Sequence, residues 1–231
     1  MEAIILAGGF GTRLRGRLEG VPKPMAPVAG RPFLEILLAQ LARSGCTRVI
    51  LSVGHLHEVI ENHFRSAWRG MALEYEVETT PLGTGGAIRA ALARASEANV
   101  LVLNGDTFLQ IDYAAMMEFH AKRQAPLTMA ISAQPDIARY GGVVLDADRV
   151  IGFEEKGRSG PGWINAGAYV LRADLDWPRH LHDKFSFETD YLAPEISRLS
   201  PAAYKVEGFF LDIGVPEDLD RAQTELKAFA S

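Results

Sequence analysis

Apolar residues fall into short unbroken runs separated by stretches of helical period. Ala3-Ile4-Ile5-Leu6-Ala7 is one run, closed by Gly8-Gly9, Arg48–Val53 is strand-like around Val49-Ile50-Leu51, and Val100-Leu101-Val102-Leu103 is another run. Short runs that are apolar throughout predict strands buried on both faces, the habit of parallel sheets. Between the first two, Phe33, Ile36, Leu37 and Leu41 recur at helical spacing, with Pro32 at the start and Gly45 as the stop. Residues 55–68 also read as a helix. Residues 73–78 alternate strictly, as a half-exposed strand does. Gly85-Gly86 then open a helix through Ile88, Leu92 and Ala95, and a helix near 112–123 and a strand near 127–133 follow. The second half changes character: a hairpin over 142–154, a strand over 164–171, two short strands within 203–213 and a final helix from Pro216.

Four early strands with helical crossovers predict an α/β fold, Rossmann-like and doubly wound, whose mostly parallel sheet becomes mixed through the later strands. The later hairpins predict a small β-rich subdomain at the sheet's carboxyl edge. The chain of 231 residues reads as one domain, with about 1–135 as a nucleotide-binding core and about 136–231 as a sugar-phosphate-binding portion with a closing helix.

Composition narrows the class. Cys46 is the single cysteine, which removes intramolecular disulfides and zinc ribbons and suits a reducing compartment. No apolar run reaches the roughly 18 residues of a membrane span, and the first residues carry no basic n-region, so the cytoplasm is the expected location. Twenty-four Lys and Arg stand against 29 Asp and Glu, a net charge of −5. With no basic stripe, a nucleic-acid or membrane partner is not expected, and a small anion suits the Arg-rich loop better.

Ligands of open parallel sheets sit beyond the carboxyl ends of the strands, and three unusual segments follow predicted strands directly. The first, Gly8-Gly9-Phe10-Gly11-Thr12-Arg13-Leu14 with Pro22-Lys23-Pro24 beyond it, offers backbone amides and cationic side chains to phosphates. It is neither a Walker loop nor a dinucleotide fingerprint, since Arg17 and Leu14 stand where Lys and the third glycine belong. The second, Pro81-Leu82-Gly83-Thr84-Gly85-Gly86, suits close approach to a base or an anion, or else is a glycine-rich turn. The third is Asn104-Gly105-Asp106. A carboxylate there is a natural Mg²⁺ ligand, with Asp212 as its second, although an isolated Asp after a strand is also an ordinary turn residue. Trp163 either lines a pocket or packs in the core.

IILAGGFGTRL, then PKPM, PLGTGGA and LVLNGD, resembles the sugar-1-phosphate nucleotidylyltransferase family, and the likeness continues through FEEK at 153–156, INAGAYVL at 164–171 and FLDIGVPEDL at 210–219. No β-helix extension is expected. The resemblance implies that a nucleoside triphosphate and a sugar 1-phosphate are joined with release of pyrophosphate, with Mg²⁺ as cofactor and room for a homodimer. Because the attacking phosphate oxygen is already anionic, no general base is needed; positioning and charge neutralisation remain. By the same resemblance Arg13, Lys23 and Asp106 are catalytic. Leu6, Ala7, Gly8, Gly9, Gly11, Thr12, Glu78, Pro81, Gly83 and Thr84 bind the nucleotide. Gly141, Glu155, Lys156, Asn165, Gly167 and Glu188 bind the sugar phosphate, and Asp106 and Asp212 hold the metal. Glu154 and Thr189 are weaker members of the sugar pocket, and Glu188 is equally placed to open a helix near Phe187.

Within the family, PLGTGGA, the YGGVV segment at 140–144 and the FEEKG to INAG spacing resemble guanylyltransferases of D-glycero-α-D-manno-heptose 1-phosphate, which serve capsule or lipopolysaccharide synthesis. Glu78 could accept from guanine N1–H and the 2-amino group, or could simply be the polar position of an alternating strand. Uridylyl or thymidylyl transfer to another sugar 1-phosphate, such as N-acetylmuramate 1-phosphate, is the alternative, and a non-catalytic nucleotide-sugar sensor is a further one. A glycosyltransferase would need a D-x-D metal motif, and Asp146-Ala147-Asp148 has its letters but sits between two apolar runs, as a hairpin turn does.

Overall fold

The fold was obtained as a computed structural model that describes residues 1–229 except Phe10, Arg15 and Glu19, and the side chain of Thr12 also lies outside the described residues. In chain order the strands are β1 (Glu2–Leu6), β2 (Pro27–Val28), β3 (Arg31–Pro32), β4 (Arg48–Val53), β5 (Ala67–Trp68), β6 (Met71–Val77) and β7 (Asn99–Asn104). They continue with β8 (Thr107–Leu109), β9 (Leu127–Gln134), β10 (Val143–Asp146), β11 (Arg149–Phe153), β12 (Gly162–Arg172), β13 (Ala202–Val206) and β14 (Phe210–Asp212). The helices are α1 (Phe33–Arg43), α2 (His57–Phe64), α3 (Gly83–Leu92), α4 (Tyr113–Arg123), α5 (Ile196–Leu199) and α6 (Pro216–Glu225).

Ten strands form one sheet in the order β10-β11-β13-β9-β12-β7-β1-β4-β6-β5. The apolar runs become its parallel centre: β1 pairs in parallel with β4 and β7, and β4 with β6. β12 lies antiparallel between β7 and β9, so the β-rich second half joins the same sheet. Successive side chains of a strand face opposite ways, which divides the core in two. Ala3 and Ile5 face a layer holding α1, α4 and α6 through Leu37, Met116 and Ala222. Ile4 faces Ile88 of α3 together with Phe185, Phe187 and Tyr191. Cys46 is buried in the first layer, and burial pushes its thiol up.

Three expectations shift. The helix expected over 55–68 is shorter, because Leu56 and Arg65 take left-handed φ at its two ends and Trp68 pairs with Met71 in a small hairpin. Pro32 caps α1 from an extended conformation and does not enter its first turn. The helix after Pro81 starts at Gly83, two residues early. Asp146-Ala147-Asp148 is the turn between β10 and β11, with Ala147 at φ 52°.

Candidate active site

All three segments open at the carboxyl ends of the parallel strands. Where β1 ends, the Ala7 N–H donates to Ser52 O at 2.7 Å and the Gly105 N–H to Leu6 O at 2.9 Å. These bonds bind the ends of β1, β4 and β7 into a common rim. At Gly8 a Cβ would come within 2.7 Å of Glu78 Oε1, so a larger residue would push that carboxylate from its position. Gly9 is open on its free side, and Gly11 has φ +56°. Thr12–Leu14 form a short 3₁₀ turn that buries Leu14 and leaves Arg13 exposed. Lys23 begins a second such turn, and its side chain is 13% exposed.

A cavity of about 270 Å³ is lined by Leu6, Gly8, Gly9, Glu78, Pro81, Gly83, Thr84, Ala87, Asn104 and Asp106. It adjoins one of about 470 Å³ that shares Gly8, Glu78 and Pro81 and continues over Gly54, His55, His57 and Glu58. Glu78, the first residue past β6, lines both. Its Oε2 accepts from the Leu82 N–H at 2.9 Å and its Oε1 from the Ser52 hydroxyl at 3.3 Å. It is thus a tethered carboxylate in a cavity wall.

The glycines of the second segment also have a reason within the protein. A Cβ on Gly83, whose φ is +69°, would come within 2.5 Å of Phe185 O; one on Gly85 would overlap the Phe185 ring, and one on Gly86 would overlap Asp183 O. The Gly85 N–H donates to Phe185 O and the Phe185 N–H to Leu82 O, both at 3.0 Å. These glycines therefore admit the chain at 183–187, and at least the Gly85 and Leu82 amides are satisfied within the protein. The Thr84 hydroxyl donates to Glu188 Oε2 at 3.2 Å and accepts from the Phe187 N–H at 2.8 Å. Thr84 lines the 270 Å³ cavity while bracing Glu188.

Asp106 follows β7, and Asp212 closes β14, which pairs with β8 so that Asp212 stands opposite Thr107. Lys23 Nζ donates to Asp106 Oδ2 at 2.6 Å and lies 4.0 Å from Asp212 Oδ1. Lys23 is thus held at the carboxylate pair, where the resemblance placed it between two phosphates. Asp212 Oδ1 is buried and, among the described residues, has no hydrogen-bond donor. Burial, followed by the Asp106 charge, pushes the Asp212 carboxyl up, against the downward pull of Lys23. Among the described residues no three His, Cys, Asp or Glu side chains gather as metal ligands. Two carboxylates with an orphaned buried oxygen fit Mg²⁺, which takes one or two carboxylates and completes its shell with phosphate oxygens and water.

The third cavity, about 440 Å³, is lined among others by Asn104, Tyr140, Gly141, Glu154, Glu155, Lys156, Asn165, Glu188 and Thr189. Asn104 lines this cavity and the 270 Å³ one, so the two meet there. Gly141, at φ +81°, passes so close to the Glu154 carbonyl that a Cβ would lie 2.8 Å from it. Gly167, which the resemblance assigns to the sugar pocket, packs against Asn104 in the cavity wall. It sits at φ +69° in the irregular stretch between Asn165 and Tyr169, and a Cβ there would come within 2.7 Å of Asn104 Nδ2. Its N–H donates to Asn165 Oδ1 at 3.1 Å, and Asn165 Nδ2 donates to the Tyr169 hydroxyl at 2.6 Å. Tyr169 donates in turn to Glu188 Oε1 at 3.1 Å. Burial and then the Glu188 charge hold the Tyr169 phenol well above its usual range, so it stays a donor. Glu188 lies in a π-helical turn, Phe187–Leu192, capped by Ser186. Both of its oxygens are engaged with Tyr169, Thr84 and Ser186.

The sequence assigns no individual role to Ser52, Asn104, Tyr140 or Tyr169. Ser52 had a signal, a polar residue inside an apolar strand, and Asn104 stood beside the aspartate that drew attention. Trp163 does not line the cavity: it packs against the second core layer with the Lys205 ammonium 5.6 Å from its ring centre.

Comparison with known proteins agrees with this geometry. The nucleotidyl transferase family model matches residues 2–228. The chain is 42% identical to D-glycero-alpha-D-manno-heptose 1-phosphate guanylyltransferase of Aneurinibacillus thermoaerophilus, covering 99% of this chain and 100% of the relative. It is also 42% identical to the protein of the same name from Campylobacter jejuni, over 94% of this chain and 96% of that one. Among solved structures, HddC from Yersinia pseudotuberculosis complexed with GMP-PN superposes with a TM-score of 0.86 at 36% identity, covering 98% of this chain and 99% of that chain. With the strand-end cavities, the carboxylate pair and a family match along nearly its whole length, the chain belongs to the nucleotidyl transferase family.

Proposed function

We propose that the protein transfers GMP from GTP to D-glycero-α-D-manno-heptose 1-phosphate, releasing pyrophosphate and forming the GDP-sugar. The observation that carries this reading is the meeting of two cavities at Asn104, with Asp106 in the wall of the nucleotide-side one. It is supported by two full-length relatives named for this reaction and a solved relative complexed with GMP-PN. Residues of about 1–135 then serve mainly the nucleotide and those of about 136–231 mainly the sugar phosphate.

In the reaction an anionic oxygen of the sugar 1-phosphate attacks the α-phosphorus of GTP. A new P–O bond forms as the bond to the bridging oxygen of pyrophosphate breaks, and no proton has to move. The protein's task is to hold two anions in line and offset their charge. Arg13, exposed in the turn that follows the glycine loop, would meet the leaving phosphates. Lys23 balances the carboxylate pair, and Lys156 in the sugar-side wall would meet the sugar phosphate. Asp106 and Asp212 would hold Mg²⁺, whose charge offsets that of the triphosphate. Glu78, already accepting from Ser52 and Leu82, faces the cavity as an acceptor suited to the N1–H and amino group of guanine. No helix among the described residues is long and apolar enough to cross a membrane, and a cytoplasmic enzyme drawing on the GTP pool fits that.

Pyrophosphate release with Mg²⁺ across GTP, UTP, dTTP, CTP and ATP against heptose, mannose, glucose and N-acetylmuramate 1-phosphates tests the reading. A maximum at GTP with the manno-heptose phosphate is expected. A maximum at UTP or dTTP would overturn the base assignment, and silence across the grid would overturn the enzyme reading.

A further inference from the structure

Lys156 and Asp212 come from different parts of the chain, and in-line transfer requires them at a fixed separation. The loop at 136–142 is bonded to the loop that follows Lys156. The Gly157 N–H donates to Ala138 O at 2.8 Å, the Ile137 N–H to Gly160 O at 3.0 Å, and Asp136 Oδ1 accepts from the Gly160 N–H at 3.2 Å. The two loops therefore form one piece carrying Tyr140, Gly141 and Lys156 into the sugar-side cavity. Two contacts tie that piece to the metal side. Arg139 Nη2 donates to Asp218 Oδ2 at 2.5 Å, and the Tyr140 ring meets Phe210, two residues before Asp212, edge-on at 5.4 Å. The Arg139 guanidinium lies 5.2 Å from the Tyr140 ring centre, so both contacts are parts of one joint.

Asp218 stands in the first turn of α6, six residues after Asp212, and is 2% exposed. Its other oxygen accepts from Arg221 Nη1 at 3.0 Å. That second partner means the buried carboxylate stays paired when Arg139 is removed, so the fold does not depend on Arg139 alone.

We propose that Arg139 and Asp218 are positioning residues for nucleotidyl transfer: their ion pair, with Tyr140 against Phe210, sets the spacing between the Lys156 loop and Asp212. Neither needs to touch substrate. Their effect falls on the sugar-phosphate side and on turnover, because the nucleotide-side walls (Gly8, Glu78 and Pro81) hang from other strands. Misplacement by about 1 Å can cost on the order of 100-fold in rate, so a loosened joint has a measurable effect without unfolding. The inference rests on the nucleotidyl-transfer reading above.

The test uses the full chain with Mg²⁺, GTP and the heptose phosphate, comparing wild type with Arg139→Met, Arg139→Lys and Tyr140→Leu. Melting temperature, kcat and both KM values are measured. Arg139→Met is expected to melt close to wild type, with the sugar-phosphate KM up about tenfold, kcat down about tenfold and the GTP KM within about twofold. Arg139→Lys should recover a large part of the loss. Tyr140→Leu should show the same split with a larger rise in the sugar-phosphate KM, because Tyr140 also lines the sugar-side cavity. Near-normal kcat and sugar-phosphate KM in Arg139→Met would overturn the proposal, and so would a lower melting temperature with both KM values moved equally. Calorimetric titration of the sugar phosphate reads the affinity loss without turnover. An error in the functional reading therefore shows in the wild type, and an error in the positioning role shows only in the variants.

Discussion

The two sides of the crevice are built by different means. On the side proposed for the nucleotide, parallel strands β1, β4 and β7 deliver the wall through main chain and glycine: Gly8 under Glu78, and Gly105 so near Leu6 O that a Cβ would lie 2.5 Å away. On the side proposed for the sugar, β12 and the 183–189 segment deliver it through side chains wired to one another, Asn165 to Tyr169 to Glu188. Backbone walls suit phosphates, which every nucleotide shares. A side-chain relay suits hydroxyls, whose arrangement distinguishes one sugar from another. Thr84 crosses the divide, bonded to Glu188 from the nucleotide side, and Asp106 and Asp212 stand at the seam.

The seam should matter most. Asp106→Asn removes the charge that Lys23 balances and weakens the metal pair, and kcat should fall by roughly 100-fold or more, the scale for losing one electrostatic stabiliser of a transition state. Mg²⁺ titration of pyrophosphate release checks this, and an unchanged metal profile would take Asp106 out of the site. Next in size is Gly83→Ala. A left-handed φ and the Phe185 carbonyl 2.5 Å from the added Cβ should cost about 2 kcal/mol. Because the displaced segment carries Glu188, the sugar-phosphate KM should rise along with the loss of melting temperature. An effect confined to the GTP KM would show that the divide is not crossed there.

The smallest effect lies outside both sides. His120 is buried between Thr128 Oγ1 at 2.8 Å and Asn99 Oδ1 at 3.1 Å. Burial, then the Arg172 charge, lowers its affinity for a proton. Its folded value therefore lies below the unfolded one of about 6.5. As pH falls below about 6.5 the unfolded chain takes up the proton first, so stability is lost on acidification through that window. Thermal melts between pH 7 and 5 should fall more steeply for wild type than for His120→Gln, with activity per folded molecule equal in the two.

The sequence showed the parallel centre because strands buried on both faces must be apolar throughout, and Gly45 and Asp146-Ala147-Asp148 marked a stop and a turn by local chemistry alone. It showed Lys23, Asp106 and Asp212 as a site through the family resemblance, and the structure brings all three together. It could not show why Gly85 is glycine, because Phe185 is a hundred residues away and nothing local points to it. Nor could it show that Gly167 clears Asn104 across a strand pair, a contact set by register. The helix over 55–68 was overread because two non-glycine residues, Leu56 and Arg65, adopt left-handed φ, which composition does not forecast.

In the proposed mechanism the two sides recognise their substrates separately and meet at the carboxylate pair. The direct test compares Glu78→Gln and Lys156→Met in one steady-state matrix of GTP against the heptose phosphate. Glu78→Gln should raise the GTP KM about tenfold, the worth of one hydrogen bond to a charged group, and leave the sugar-phosphate KM within about twofold; Lys156→Met should do the reverse. If each variant raises both KM values in parallel, the two sides are one site and the division drawn here is wrong.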